Sequence, residues 1–528
     1  MSFVVWQLHE AGTGYRTKLI GVTTRIPHNP HMPFMKHTLT LLAALLPAPL
    51  AMMHAADPKP AKPNFVVILI DDMGYGDIGA FGSKVNRTPN LDRMAKEGMK
   101  LTSFNCAPLC SASRAQLMTG CYAKRVGIPD VLFPVRGTGL SAEEKTIAGL
   151  LKPQGYATMC IGKWHLGDQP EFLPTRHGFN HFLGLPYSNN MDGSGKQTEG
   201  KNFMPPLPLM RDEKVIEAPP EQDKLTKLYT EEAVKFITAN NGRPFFLYLP
   251  HTAVHAPIQP GVAFQGKSKN GDYGDWVEEV DWSVGRVLET LRQLKLDKNT
   301  LVLFTSDNGG TGKSYSNAPL RGKKGSTWEG GEREPTIAWW PGKIAAGSVS
   351  DAVMSELDVL PTAVGLAGGK VPTERKIDGL DIWPVLSGKS TASPHEAMYY
   401  FLWGSLEAVR SGPWKLAVAD QKDAGEGGES PGTDSAVGSD SKKKKGKKDK
   451  ESVAASTEAP RLYNLDKDIG ETTDVAAQHP DVVNRMQELI TKMATDLGME
   501  KANKKNRAPG VRDPGQVDNP KPLFKSEG

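Results

Sequence analysis

The sequence predicts an α/β fold, with a large domain organised on buried strands and a smaller C-terminal α+β segment. Three observations carry this prediction. Continuous apolar runs at Asn64–Ile70, Phe245–Leu249 and Leu301–Phe304 have the pattern of parallel strands buried on both faces. Between them lie stretches of helical spacing, marked by Leu225, Leu228, Ala233, Phe236 and Ile237, and then by Val277, Val280, Val284, Val287, Leu288, Leu291 and Leu294. After Gly388 the texture changes to short strands. At 528 residues the chain exceeds one small core and suits a large domain plus a smaller one.

Taken in order, the chain begins with residues 1–34, which carry neither motif nor period. Met35-Lys36-His37 is then a short basic start, Thr38 to Met53 is apolar and rich in Leu and Ala, and Ala55-Ala56 precede the polar Asp57-Pro58-Lys59-Pro60. That layout is a secretory signal peptide over 35–56, so residues 1–34 read as an extension ahead of the true start. Export to a periplasm or to the medium is expected. The first strand, Asn64–Ile70, ends in Asp71-Asp72. Two adjacent carboxylates at a strand end are costly without a cation, and ligands of open α/β sheets bind at that edge.

Thr88 to Met99 reads as a helix with Thr88-Pro89 at its start, and Thr146 to Leu151 as another, stopped by Pro153. Tyr156–Ile161 is a strand that delivers Lys163 and His165 to a loop. Residues 189–223, rich in Gly and Pro, are expected to form a surface loop rimming the site. Phe245–Leu249 hands on to Pro250-His251-Thr252-Ala253-Val254-His255-Ala256-Pro257. Two histidines four apart suggest zinc, but this proline-flanked loop is not the helix that such a site needs. A proton-transfer role suits His255, and a structural one His251. Leu301–Phe304 ends in Ser306-Asp307-Asn308-Gly309, so a second strand end brings oxygen ligands to the same edge.

The large domain spans 62–393. Residues 394–502 form the smaller one, with strands at Tyr399–Trp403, Glu407–Arg410 and Trp414–Val418. A low-complexity insert at 421–459, ending in a Lys-rich run, cannot bury enough apolar surface to fold. It reads as a tolerated surface insertion, or more sharply as a polybasic arm for an anionic polysaccharide. Arg461–Leu465 resumes the interrupted hairpin, Val482–Leu497 is an amphipathic helix, and the tail 503–528 is expected to be disordered from Asn503 on.

Composition excludes several classes. The charge is nearly balanced, with 64 basic and 60 acidic side chains, and no basic stripe with interleaved aromatics suggests nucleic-acid binding. No stretch reaches the roughly 18 apolar residues of a transmembrane helix. Four cysteines (106, 110, 121 and 160) are too few for a disulfide scaffold, and spacing alone does not decide whether Cys106 and Cys121 pair.

The chemistry centres on Cys110-Ser111-Ala112-Ser113-Arg114. Ala115–Met118 continues as a helix, which places the thiol near a helix N-terminus that favours an anion. Arg114 adds a fixed charge. With Asp71-Asp72-Met73-Gly74, Gly162-Lys163-Trp164-His165-Leu166-Gly167, Ser306-Asp307-Asn308-Gly309 and Leu320-Arg321-Gly322-Lys323-Lys324-Gly325, this stretch resembles the ordered blocks of the sulfatase family, from about Asn64 to about Asp474. Phe172–Phe179 and Leu185–Ser188 are similar to the branch of arylsulfatase A and N-acetylgalactosamine-6-sulfatase. One departure is that Ala112 stands where the family's maturation signature most often has proline.

The resemblance implies an alkaline-phosphatase-like three-layer α/β/α sandwich with a large mixed sheet. It also implies a formylglycine made from Cys110 by a maturation enzyme, and hydrolysis of sulfated small molecules or glycans. The oxygen-rich set Asp71, Asp72, Asp307 and Asn308 suits Ca²⁺ or Mg²⁺. By the resemblance these residues bind calcium together with the modified Cys110. Hydrated formylglycine supplies a hydroxyl nucleophile, and its second hydroxyl lets the sulfated enzyme return to the aldehyde. Arg114 would steady the nucleophile, Lys163 and Lys324 would hold sulfate oxygens, and Ser188 would touch the sulfate. His255 would protonate the leaving group and His165 would take the proton that ejects sulfate. Lys323 beside Lys324 leaves the register ambiguous, and Gly325 with Glu329-Gly330-Gly331 favours Lys324. Two alternatives stand beside this reading. One is a phosphomonoester or phosphonate-ester hydrolase of the same superfamily, and the other is an inactive glycan-binding relative.

Overall fold

The computed structural model describes residues 62–193, 204–419, 421, 459–499 and 509–524. The expected extension and signal peptide, and the insert between its ends, lie outside these residues. The large sheet is built from β1 (Asn64–Ile70), β2 (Met99–Asn105), β4 (Ala157–Lys163), β5 (His181–Leu185), β6 (Leu209–Arg211), β7 (Lys214–Glu217), β8 (Phe245–Pro250), β9 (Thr300–Ser306), β10 (Arg333–Trp339), β11 (Ser348–Ser350) and β12 (Met354–Ser355). The short β3 (Thr138–Gly139) lies apart. The order is β11-β2-β10-β9-β1-β8-β4-β5-β6-β7, with β12 also on β2, making 11 strands.

The alternation of β1 divides the interior in two. Phe65, Val67 and Leu69 face one core with Ala115, Leu117 and Met118 of α2 (Cys110–Thr119) and with Ile147 and Leu360. Val66, Ile68 and Ile70 face the other, with Leu91 and Met94 of α1 (Pro89–Glu97) and with residues of the helices Leu225–Ala239 and Gly271–Gln293. Burial on both faces is why the strand reads as an unbroken apolar run. Helices on both faces make this the three-layer α/β/α sandwich, and the sheet is mixed: β10 runs antiparallel to both β9 and β2.

The structure departs from the sequence reading at three places and settles one that spacing left open. The helix expected to reach Met99 ends at Glu97, and Met99 opens β2, whose Lys100 and Thr102 are half-buried and break the apolar run. The loop expected at 189–223 contains the β6–β7 hairpin, where Leu209 and Met210 bury against the sheet while Lys214 and Glu217 leave its edge charged. The tail expected to be disordered packs on the large domain through residues 509–524. There β17 (Gly515–Gln516) pairs with β3, Val517 N–H donates to Gly137 O, and Arg512 meets buried Glu144 at 2.8 Å. The tail's polar, Pro-rich composition hides this, because backbone pairing and the Arg512–Glu144 ion pair hold it together with only a few apolar contacts, Val511 and Leu523 among them. All four cysteines are free and buried, so Cys106 and Cys121 are not bridged.

The smaller sheet is antiparallel, in the order β13 (Met398–Leu402), β14 (Ser405–Ser411), β15 (Trp414–Ala417) and β16 (Arg461–Asn464). Leu489, Ile490, Met493 and Leu497 of the helix Pro480–Leu497 cover it. A buried ion cluster ties this sheet to the large domain. Glu329 Oε1 accepts from Tyr400 OH (2.8 Å) and Lys415 Nζ (3.0 Å), and Oε2 accepts from Arg333 (3.3 Å) and Arg410 (3.2 Å). Burial works against the charge on Glu329, but Lys415, Arg410 and Arg333 hold its carboxyl well below the usual range. Removing one partner of such a cluster strands the others, so Glu329→Ala is expected to cost about 3–5 kcal/mol in denaturant unfolding. A loss below about 1 kcal/mol would mean that the junction does not depend on this cluster. Among the described residues no helix is long and apolar enough to cross a membrane.

Candidate active site

The direction of the strands builds the site. β1 runs parallel to β8 and β9, β8 to β4, and β4 to β5. β2 is antiparallel to β10, which is antiparallel to β9, so β2 points the same way. The carboxyl ends of these strands therefore share one edge. β1 delivers Asp71 and Asp72, β9 Asp307 and Asn308, β4 Lys163 and His165, β5 Ser188, β8 His255, and β2 leads into Cys110. Such an edge is where ligands of α/β sheets bind.

Local backbone shapes the arrival of each group. Gly162 has φ +126°, and a Cβ there would lie 1.8 Å from Pro250 O, so only glycine lets β4 approach β8 just before Lys163. Asp72 and His165 hold φ near +64° and +58°, uncommon for non-glycine residues and held here by surrounding structure. Cys110 is the first residue of α2, after Leu109, and its first intrahelical bond runs from Ser113 N–H to Leu109 O.

The charged groups interlock. Lys163 Nζ donates to Asp71 Oδ2 (2.5 Å) and to Ser188 Oγ (3.0 Å). Arg114, fully buried, donates through Nε (3.1 Å) and Nη2 (2.8 Å) to Asp307 Oδ2 and also reaches Lys163 O. Lys324 Nζ lies 2.6 Å from Asp72 Oδ1 and 3.2 Å from Cys110 Sγ, while Cys110 Sγ is 3.4 Å from Asp71 Oδ1. Burial raises Asp71, but Lys163, His255, Arg114 and Lys324 together overcome it and hold the carboxyl well below the usual range. Burial, only partly countered by the two lysines, pushes the Cys110 thiol up to about 12, so the unmodified sulfur is a neutral thiol.

Two histidines have tautomers fixed by carbonyl oxygens, which can only accept. His255 Nδ1–H donates to Ala256 O (2.6 Å), leaving Nε2 on the side of Asp72 Oδ2, 3.7 Å away. Burial, with Lys324, lowers its pKa to about 4. His165 Nε2–H donates to Leu132 O (2.9 Å), and its buried Nδ1 has no partner, a lone pair held ready. His251 instead meets Ser283 Oγ (3.2 Å) and packs on Tyr229, away from the charged cluster.

The residues fit a hard cation. Asp71, Asp72, Cys110 and His255 each offer a ligand atom within 4.8 Å of the others. Asn308 Nδ2 faces Asp72 Oδ1 (2.7 Å) and Gly309 O (3.1 Å), so its buried Oδ1 is left as an acceptor without a donor. Asp307 Oδ1 accepts the Asp72 N–H (3.1 Å), which keeps that carboxylate beside the pair. His255 lies beside this group, with Nε2 as its one uncommitted ring nitrogen.

Several supporting residues have roles that the sequence does not show, Ser306 among them although it stands in one of the family blocks. Ser306 Oγ accepts Met73 N–H (2.9 Å) and donates to Ile70 O (3.2 Å), clamping the Asp71-Asp72 turn. Asp77 accepts from Gly74 N–H, Ser316 N–H and Tyr273 OH, and Tyr315 OH reaches Val254 O (2.8 Å). These bonds join the Asp71-Asp72 turn to the loops that carry Lys324 and His255. Only Lys324 of the two adjacent lysines has its ammonium group against Asp72 and Cys110. Lys324→Ala is expected to cost about 10²–10³-fold in kcat/KM, and Lys323→Ala at most about twofold, in steady-state assays. Equal losses would put the register in doubt.

The family model for Sulfatase matches residues 63–369, and the one for the C-terminal region of aryl-sulfatase matches residues 393–514. The chain belongs to the sulfatase family. N-acetylgalactosamine-6-sulfatase of Mus musculus is 42% identical over 394 residues, covering 69% of this chain and 73% of that protein. Steryl-sulfatase of Homo sapiens is 38% identical over 443 residues, 69% of this chain and 75% of its own. In structure, the PsFucS1 sulfatase of Pseudoalteromonas sp. superposes with a TM-score of 0.72 at 26% identity, over 86% of this chain and 92% of that one. This sulfatase is accordingly a sulfuric ester hydrolase with the alkaline-phosphatase-like fold.

Proposed function

We propose that the protein hydrolyses sulfate esters of carbohydrates or aryl alcohols with a formylglycine made from Cys110 and a bound calcium ion. The observation that carries this reading is the place of Cys110 Sγ, buried between Asp71 and Lys324 at the shared strand edge. A neutral thiol there is a poor nucleophile, and conversion removes that obstacle. Asp71, Asp72, Asp307 and Asn308 would hold calcium, with Mg²⁺ the other hard ion that suits them. Bound there, the ion and the hydrated formylglycine together supply a nucleophilic hydroxyl ionised near neutral pH.

The chain's own groups do the rest. Lys163, Lys324 and Ser188 would bind the sulfate oxygens and neutralise their charge. Arg114 would steady the nucleophile position and, through its bonds to Asp307 Oδ2, keep that carboxylate turned to the metal side. His255, its Nδ1 proton committed to Ala256 O, would take up a proton from solvent on Nε2 and pass it to the leaving oxygen. His165 would accept on its free Nδ1 the proton whose removal ejects sulfate. Export to a periplasm or the medium, and maturation by a formylglycine-generating enzyme, complete the reading. They are supported by the signal layout at 35–56 and by the Cys110 stretch. The test is a side-by-side assay of matured protein with aryl sulfate and aryl phosphate. A higher kcat/KM on the sulfate is expected, and preference for the phosphate or an intact, inactive thiol in host-made protein would overturn it.

A further inference from the structure

Beside the groups used in sulfate chemistry lies one polar side chain with no task there. Asn189 follows Ser188 and is 1% exposed. Its Nδ2 donates to Gln222 Oε1 (3.2 Å) and to His255 O (3.4 Å), and its backbone oxygen accepts from Gln222 Nε2 (3.2 Å). This ladder fixes both carboxamides, because turning either would set oxygen against oxygen. Asn189 Oδ1 is therefore a buried acceptor without a donor. Buried acceptors of this kind are few in folded proteins and call for a partner. This one belongs to the residue that joins Ser188, bonded to Lys163, with the backbone of His255. In the reading above, those neighbours hold the sulfate and serve the leaving oxygen.

We propose that Asn189 Oδ1 receives a hydroxyl of the leaving group, so that the natural substrate is a sulfated carbohydrate and not a sulfated steroid or simple aryl sulfate. The proposal rests on the sulfatase reading and deepens it. A polyol offers a hydroxyl close to almost any ester oxygen, whereas a steroid ring offers only C–H beside its sulfate. A substrate without the hydroxyl leaves the acceptor unmet, which is how a buried polar group rejects an apolar analogue. Gln222 is a positioning residue, acting only through the carboxamide that it locks.

The test measures kcat/KM of matured full-length protein on a sulfated methyl hexoside, its mono-deoxy analogues, 4-nitrophenyl sulfate and a steroid sulfate. One deoxy analogue is expected to lose about 10-fold or more relative to the parent hexoside, and the steroid sulfate to be poorer still. Asn189→Leu is expected to lower the ratio of hexoside to 4-nitrophenyl sulfate activity by about 10- to 100-fold and to stop distinguishing that analogue from its parent. An unchanged ratio, deoxy analogues all within about twofold of the parent, or a steroid sulfate turned over as well as the hexoside would overturn the proposal. If Asn189→Leu does not fold, the wild-type deoxy series decides alone. No turnover of any sulfate ester would instead overturn the underlying sulfatase reading, and this proposal with it.

Discussion

Cys110→Ala is expected to lose turnover on the order of 10⁶-fold, the scale seen when a covalent nucleophile is removed. The thiol sits 3.4 Å from Asp71 Oδ1 and 3.2 Å from Lys324 Nζ, and no other nucleophilic side chain of the described residues is placed between them. Ser111 is turned elsewhere, its hydroxyl accepting Leu132 N–H at 3.0 Å, and Ser188 is taken by Lys163. Cys110→Ser would restore a hydroxyl but not the second one, so it should react at most once per molecule. Both variants should still bind substrate, because Lys163 and Lys324 keep their places. Sulfate release and calorimetric binding on the same samples check this. Turnover above about 1% of wild type in Cys110→Ala would place the nucleophile elsewhere.

The second large effect is expected at Asp307. Loss of its charge should empty the cation site and cost on the order of 10³-fold, the several kcal/mol that a bound metal contributes. Arg114 complicates the choice of variant. Its guanidinium is fully buried with two bonds to Asp307 Oδ2, so Asp307→Ala strands a buried charge and costs stability as well, about 3–5 kcal/mol. Asp307→Asn keeps an acceptor oxygen for Arg114 and strands no buried charge, at the loss of the bond from Asp72 N–H, which its amide nitrogen cannot accept. Metal content by mass spectrometry should fall with activity in Asp307→Asn while circular dichroism stays native. Full metal occupancy with full turnover would contradict the ligand assignment.

The legible part of this chain is the part where strands are buried on both faces. β1, β8 and β9 show as unbroken apolar runs, and each points directly at its site residues. β2 and β10 do not, for opposite reasons. β2 alternates with Lys100 and Thr102, and β10 opens on Arg333 and Glu334, polar residues absorbed by buried partners that local pattern cannot reveal, followed by Pro335. Without β2, the route that brings Cys110 to the shared strand edge is invisible. The same holds for long-range supports. Glu329 meets Lys415 across 86 residues and Asp77 meets Tyr273 across 196, separations that no spacing rule covers. The Lys323–Lys324 ambiguity is likewise a matter of side-chain direction, which the contact to Cys110 Sγ resolves.

Ala112 offers the handle for the most direct test. It lies in the first turn of α2, ahead of Ser113, whose N–H makes the first intrahelical bond, so proline at 112 removes no such bond. Ala112→Pro should raise the formylglycine fraction in a host with only the aerobic maturing enzyme. The deciding measurement is formylglycine occupancy, by mass of the Cys110 peptide, against sulfate-ester turnover in samples of graded maturation. The account predicts proportionality through the origin, with Ala112→Pro furthest along the line. Full turnover in protein whose Cys110 is still a thiol would contradict it.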